Sequence, residues 1–92
     1  MPLLSNEQLE TSISRVQEWQ IVAGELVRTF QFADFRGALG FVNQVGELAE
    51  AAGHHPDIDI RYNKVRLGLV SHDAGGLTEK DFNLAAQIDP IG

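Results

Sequence analysis

The tetrad Gly53-His54-His55-Pro56 divides the chain between two kinds of periodicity. Before it, Phe35, Ala38, Leu39, Val42, Val45, Ala49 and Ala52 recur at helical spacing, the mark of a helix with one apolar face. After it, Ile58, Ile60 and Tyr62 alternate with Asp57, Asp59 and Arg61, then Val65, Leu67 and Leu69 alternate with Arg66 and Gly68, the mark of strands. Proline disfavours helical backbone in the residue before it and cannot continue a helix, and glycine suits the left-handed position that ends one. The helix therefore stops near Gly53, and an extended hairpin follows Pro56. The chain's 3 histidines, His54, His55 and His72, all fall between Glu50 and Asp81, so the side chains whose ordinary titration lies nearest neutral pH are gathered in one stretch.

The flanks read in the same way. Ser5 is placed as an N-cap, with Gln8 as its capping-box partner and Leu4 facing Leu9 as a staple, which predicts a first helix to about Ile13. Trp19 to Val22 and Glu25 to Phe32 form a hairpin around Ala23-Gly24. Its buried side rests on Phe30 and Phe32 with Leu26, although Arg28 interrupts that stripe. Asp34 caps the long helix, and Thr78 caps a last one, with Asp81 at its third position and a Leu77 to Phe82 staple, ending before Pro90. The order α-β-β-α-β-β-α predicts an α+β fold, a four-stranded antiparallel sheet with three helices packed on one face, in a single domain over residues 1–92.

With Asn63-Lys64 as a two-residue loop, Tyr62 faces Val65, Ile60 faces Leu67 and Ile58 faces Leu69, so every large apolar side chain of the hairpin shares one face. Continuing that register sets Ser71 beside Pro56 and His72 beside His55, which predicts that the histidines form one site.

A chain of 92 residues supports one modest core, so a partner subunit is expected. Seven basic side chains against thirteen acidic ones leave a net charge of −6, a poor source of attraction for a phosphate backbone, and direct nucleic-acid binding is not expected. No window approaches the ~18 uninterrupted apolar residues of a membrane span. Nothing in Met1 to Ser5 resembles a signal peptide, and a cytoplasmic location is expected. Without cysteine there is neither a disulfide nor a thiolate ligand, so imidazole and carboxylate are the reactive groups at hand.

Of the chemistries open to such a cluster, metal binding is disfavoured because neighbours in extended backbone point to opposite sides, so His54 and His55 are poorly placed to chelate one ion. Nucleophilic catalysis lacks a candidate, since Ser71 stands in no nucleophile-elbow context. General acid–base chemistry fits, because imidazole holds and releases protons in the working range. Glu50 is placed one helical turn before His54, either orienting that imidazole or lying solvated beside Glu47. Asp81 is a capping residue on its spacing alone, and Tyr62 and Trp19 either stack on a flat ligand or pack.

Taken together, Glu50, then His54-His55-Pro56, then Tyr62-Asn63-Lys64-Val65, then His72, Gly76-Leu77 and Asp81 with Phe82-Asn83-Leu84-Ala85 resemble the pterin-4a-carbinolamine dehydratases. Trp19 with its hairpin, and Phe32-Ala33-Asp34-Phe35 leading to Phe41, extend the resemblance over nearly the whole chain. The resemblance implies a dehydratase that uses neither metal nor cofactor, acts on 4a-hydroxytetrahydropterin and serves tetrahydrobiopterin recycling. It further implies His54 and His72 as the acid–base pair, His55 and Pro56 as pterin-binding, Glu50 and Asp81 as orienting carboxylates, and a homodimer or homotetramer. The rival implication is a non-enzymatic binding module with a protein partner, because animal relatives also serve as transcriptional dimerisation cofactors and some bacterial ones look like Rubisco assembly factors.

Overall fold

The computed structural model describes residues 2–92, in which each helix begins where its cap predicts. Helix α1 spans Asn6–Ile13 behind a complete Ser5–Gln8 capping box. Strands β1 (Gln20–Val22) and β2 (Glu25–Gln31) are joined by Ala23 and Gly24, both at positive φ (51° and 79°), as the tight type I′ hairpin turn requires. Helix α2 (Phe35–Ala52) follows its Asp34 cap, the hairpin of β3 (Asp57–Arg61) and β4 (Lys64–Leu69) comes next, and α3 (Glu79–Ile88) follows Thr78 before a short 3-10 turn over Asp89–Ile91.

The sheet is antiparallel in the order β1-β2-β4-β3, which puts the second hairpin's outer strand, β3, on an edge. Its inner face contributes Leu26, Phe30, Val65, Leu67 and Leu69 to one core with Ala38, Phe41 and Val45 of α2 and Phe82, Ala85 and Ile88 of α3. The other face carries Thr29, Arg66 and Asp59 in one row and Gln31, Lys64 and Arg61 in the next, all exposed, so the alternation seen in the sequence sorts core from solvent. The α+β architecture is therefore as expected.

Arg28, the residue that interrupts the apolar stripe of β2, is accommodated rather than excluded. Its guanidinium lies 4.1 Å from the Phe30 ring centroid, and Nη1 donates to Asp89 Oδ1 at 2.7 Å. Trp19 Nε1 donates to the same oxygen at 2.6 Å while its ring packs in the core, so Trp19 is a packing residue. Tyr62 is exposed at the hairpin turn.

The register of β3 and β4 differs from expectation by two residues. Ile60 pairs with Val65 and Ile58 with Leu67, and the loop is Tyr62-Asn63 with Tyr62 at φ 53°. The cause lies outside the hairpin. Asn63 accepts from Phe32 N through its carbonyl (2.8 Å) and donates Nδ2 to Phe32 O (2.8 Å), which carries the β2–β4 ladder one residue further and pushes the turn back onto Tyr62. A slip of two keeps every side chain on its face, so the core is unaffected. It does remove the expected pairing of Ser71 with Pro56 and of His72 with His55: β4 ends at Leu69, and Ser71 bridges Gly76 instead.

Gly53 sits at φ 62° with nothing within 4 Å of the place a Cβ would take, so its cost to alanine is conformational alone. Gly53→Ala is expected to lower the urea-unfolding free energy by about 1 kcal/mol with an unchanged m-value. Wild-type stability in that variant would show that the left-handed turn is not required.

Candidate functional site

The site begins with the way α2 ends. Gly53 N–H bonds to Glu50 O (3.3 Å) and His54 N–H to Ala49 O (3.1 Å), the paired bonds of a Schellman close, and the chain then leaves the helix axis in extended backbone towards Pro56. Neighbouring side chains in extended backbone point apart, and the two histidines do so here. The His54 side chain is 11% exposed and turns inward, with Nε2 2.5 Å from Asp81 Oδ1. The His55 side chain is 62% exposed and its Nε2 pairs with Glu50 Oε2.

That pairing corrects one expectation. Glu50 does not orient His54, because the one-turn spacing holds only while the helix persists, and the left-handed residue at 53 intervenes. It reaches His55 instead, and with 76% of its side chain exposed the pair is a surface one, of the kind worth ~0 to 1 kcal/mol.

Asp81 is wholly buried and serves two purposes at once. Its Oδ2 accepts from Thr78 N (2.9 Å), completing the predicted capping box of α3, and from the Ser71 hydroxyl (3.0 Å). Its Oδ1 is left for His54. With a carboxylate as the acceptor, the proton of that bond sits on Nε2, which leaves Nδ1 as the second ring nitrogen of His54. Ser71 and Thr78, which no sequence pattern marks for a site, bond to Asp81 and to each other. The signal that identifies them is spatial: a small hydroxyl residue just beyond the end of β4, brought against the cap of α3.

His72 follows Ser71 on an exposed loop whose turns are closed by the Ser71 carbonyl, which accepts from Ala74 N and Gly75 N (3.0 Å each). The histidine segments are thus linked through Ser71 and Asp81 rather than through strand pairing. No hydrogen bond joins one imidazole to another, and among the described residues no group of three or more His, Asp or Glu side chains is arranged to hold a metal ion. Pro56 is half-buried between His55 and the start of β3. A concavity of about 530 Å³ lined by Phe35, Leu39 and Tyr62 lies near the start of α2, so the histidines at the helix's far end do not share it.

A family model described as "Pterin 4 alpha carbinolamine dehydratase" matches residues 2–91. The chain belongs to the pterin-4a-carbinolamine dehydratase family. A relative from Chloroflexus aurantiacus, provisionally named a pterin-4-alpha-carbinolamine dehydratase, is 58% identical over 91 residues, spanning 99% of this chain and 98% of the relative. One from Acidobacterium capsulatum, named in the same provisional way, is 55% identical over 91 residues, 99% of each chain. Among solved structures, a transcriptional coactivator/pterin dehydratase from Brucella melitensis superposes with a TM-score of 0.91 at 32% identity over 96% of both chains. A pterin dehydratase-like RuBisCO assembly factor of the alpha-carboxysome superposes with a TM-score of 0.64 at 24% identity over 79% of this chain and 84% of that one, which shows the fold alone.

The geometry separates the two carboxylates, Asp81 and Glu50. Asp81→Ala removes a cap and strands the Ser71 hydroxyl and the His54 ring, and is expected to cost about 2 to 4 kcal/mol in chemical denaturation. Glu50→Ala should cost less than about 1 kcal/mol. Equal losses would mean that the buried and exposed pairs do not differ as described.

Proposed function

We propose that this chain is a hydro-lyase that eliminates water from 4a-hydroxytetrahydropterin to give quinonoid dihydropterin, in the recycling of a tetrahydropterin cofactor. Family membership supports the substrate class, and one observation in the site carries the chemistry: a buried aspartate holds His54 by one nitrogen and is braced by the residue next to His72. The C4a–O bond breaks as an imidazolium protonates the hydroxyl, which leaves as water. Loss of the N5 proton to a second base lets the N5 electron pair form the C4a=N5 bond. The proton lost balances the proton supplied, so no electrons enter or leave.

His54 and His72 take the acid and base roles in this proposal. Asp81 fixes the tautomer and orientation of His54, as a buried aspartate does for the histidine of a catalytic triad. His55 and Pro56 line the pterin, and Glu50 steadies His55 at the exposed side. The protein acts in the cytoplasm, and among the described residues no helix is long and apolar enough to cross a membrane.

A homodimer or homotetramer completes the reading. Strand β3 is an edge with Ile58 40% exposed on its inner side, and Phe35, Leu39 and Tyr62 are exposed around one concavity. Such surface invites a partner, and a second copy is always at hand. Light scattering on a gel-filtered sample at micromolar concentration should return two or four times the 10.1 kDa chain mass. A lone 10.1 kDa species would overturn the assembly proposal.

The catalytic claim is tested by generating the 4a-carbinolamine and following its dehydration. Wild type should exceed the buffer rate, with His54→Ala and His72→Ala each lower by ~10² to 10⁴. If wild type is no faster than buffer, or both variants match it, the enzyme reading fails, and capture of a protein partner becomes the measurement of choice.

A further inference from the structure

We propose that Ser71 is a positioning residue that holds the two histidine-bearing segments in a common frame. The inference rests on the dehydratase reading for its kinetic consequence but not for its structural one. Ser71 lies beyond the end of β4, is 2% exposed, and is bonded on every polar atom it has. Its N–H donates to Gly76 O (3.0 Å), and its carbonyl accepts from the amides of residues 74, 75 and 76, closing the loop that carries His72. Its hydroxyl lies 3.0 Å from Asp81 Oδ2 and 2.8 Å from Thr78 Oγ1.

The direction of these bonds follows from proton counting. A hydroxyl owns one proton, and an ionised carboxylate only accepts. Ser71 therefore donates to Asp81, and the Thr78 hydroxyl donates to Ser71 while its own oxygen accepts from Lys80 N (3.3 Å). The result is a one-way chain, Thr78 to Ser71 to Asp81, met from the other side by His54 Nε2. Two donors, the Ser71 hydroxyl and Thr78 N–H, pin Oδ2, so the carboxylate plane is set and Oδ1 faces the imidazole. Among the described residues no buried side-chain polar atom is left without a partner, so the network has no slack with which to replace a lost member.

Ser71 touches no substrate in this account. It acts through Asp81 on the orientation of His54, and through its main chain on the loop of His72. A misorientation of the proton-transfer groups is felt in the transition state rather than in substrate binding.

The test compares Ser71→Ala and Ser71→Thr in the full-length protein by steady-state dehydration kinetics, thermal unfolding and proton–nitrogen NMR of the histidine rings. Ser71→Ala is expected to lower kcat by about 10- to 100-fold with KM changed less than about twofold, the scale seen when a group supporting an essential histidine is removed. The Nε2–H resonance of His54 should shift and exchange faster with water. Ser71→Thr keeps the hydroxyl and should retain most of the wild-type kcat and an unshifted resonance. If alanine does not fold, Ser71→Cys, close in shape but a weak donor, replaces it under the same criteria. A folded Ser71→Ala with lowered melting temperature but wild-type kcat and His54 resonance overturns the proposal. Should the wild-type protein prove inactive, the dehydratase reading fails by itself and the resonance decides alone: altered, Ser71 positions His54; unaltered, it does not.

Discussion

The structure depends on a carboxylate placed where no water reaches it. Burying an ionised group is tolerable only when its oxygens are met by donors, and Asp81 is met from three segments: the amide at the start of α3, the hydroxyl beyond the end of β4, and the ring beyond the end of α2. Two of these, the 71–76 loop and the residues after Gly53, are loops, while the start of α3 is also held by the buried Leu77 and Phe82. Because a buried charge with a missing partner is far costlier than one with all of them, the three segments are driven to assemble together. Such a centre adds little net stability compared with apolar packing, and its value lies in allowing one arrangement.

Gly53 supplies the second constraint. Its left-handed backbone reverses the chain at the end of α2, and the extended residues that follow send His54 and His55 to opposite sides. Two chemically identical side chains thereby acquire different surroundings, one nearly enclosed against a buried aspartate and the other in water against a surface glutamate. Pro56 keeps the segment out of helical backbone, so the sorting of the two rings is written into main-chain geometry rather than into side-chain contacts.

This explains which parts of the molecule are legible in the sequence. Caps, staples and alternation are local, and Ser5, Asp34, Thr78 and Gly53 each mark an element boundary the structure bears out. The β3–β4 register is not local, since it is decided by Asn63 bonding across to Phe32, and no pattern within the hairpin reports that contact. The expected pairing of Glu50 with His54 fails for a related reason: helical spacing ends at the left-handed Gly53 that lies between them. Asp81 shows a different limit. Its spacing from Thr78 identifies a cap, and a cap is a sufficient explanation, yet the second oxygen of a capping carboxylate remains free to hold something else. The hydroxyl of Ser71 stands in no nucleophile-elbow context and donates to Asp81 instead.

The contrast between the two histidine pairs matches the division of labour that the proposed dehydration needs. Proton transfer is sensitive to placement at the ångström level, so the group that performs it gains from a support that is already rigid before substrate arrives. His54 has such a support in a carboxylate whose other oxygen is pinned by two donors. Substrate binding has the opposite requirement, since the residue that meets a ligand must give up its previous partner. The His55–Glu50 pair, solvated on both members, can be opened at little cost. The exposed pair carries no such structural duty, whereas the buried centre also holds the start of α3 and the 71–76 loop in place, so altering it risks the fold itself.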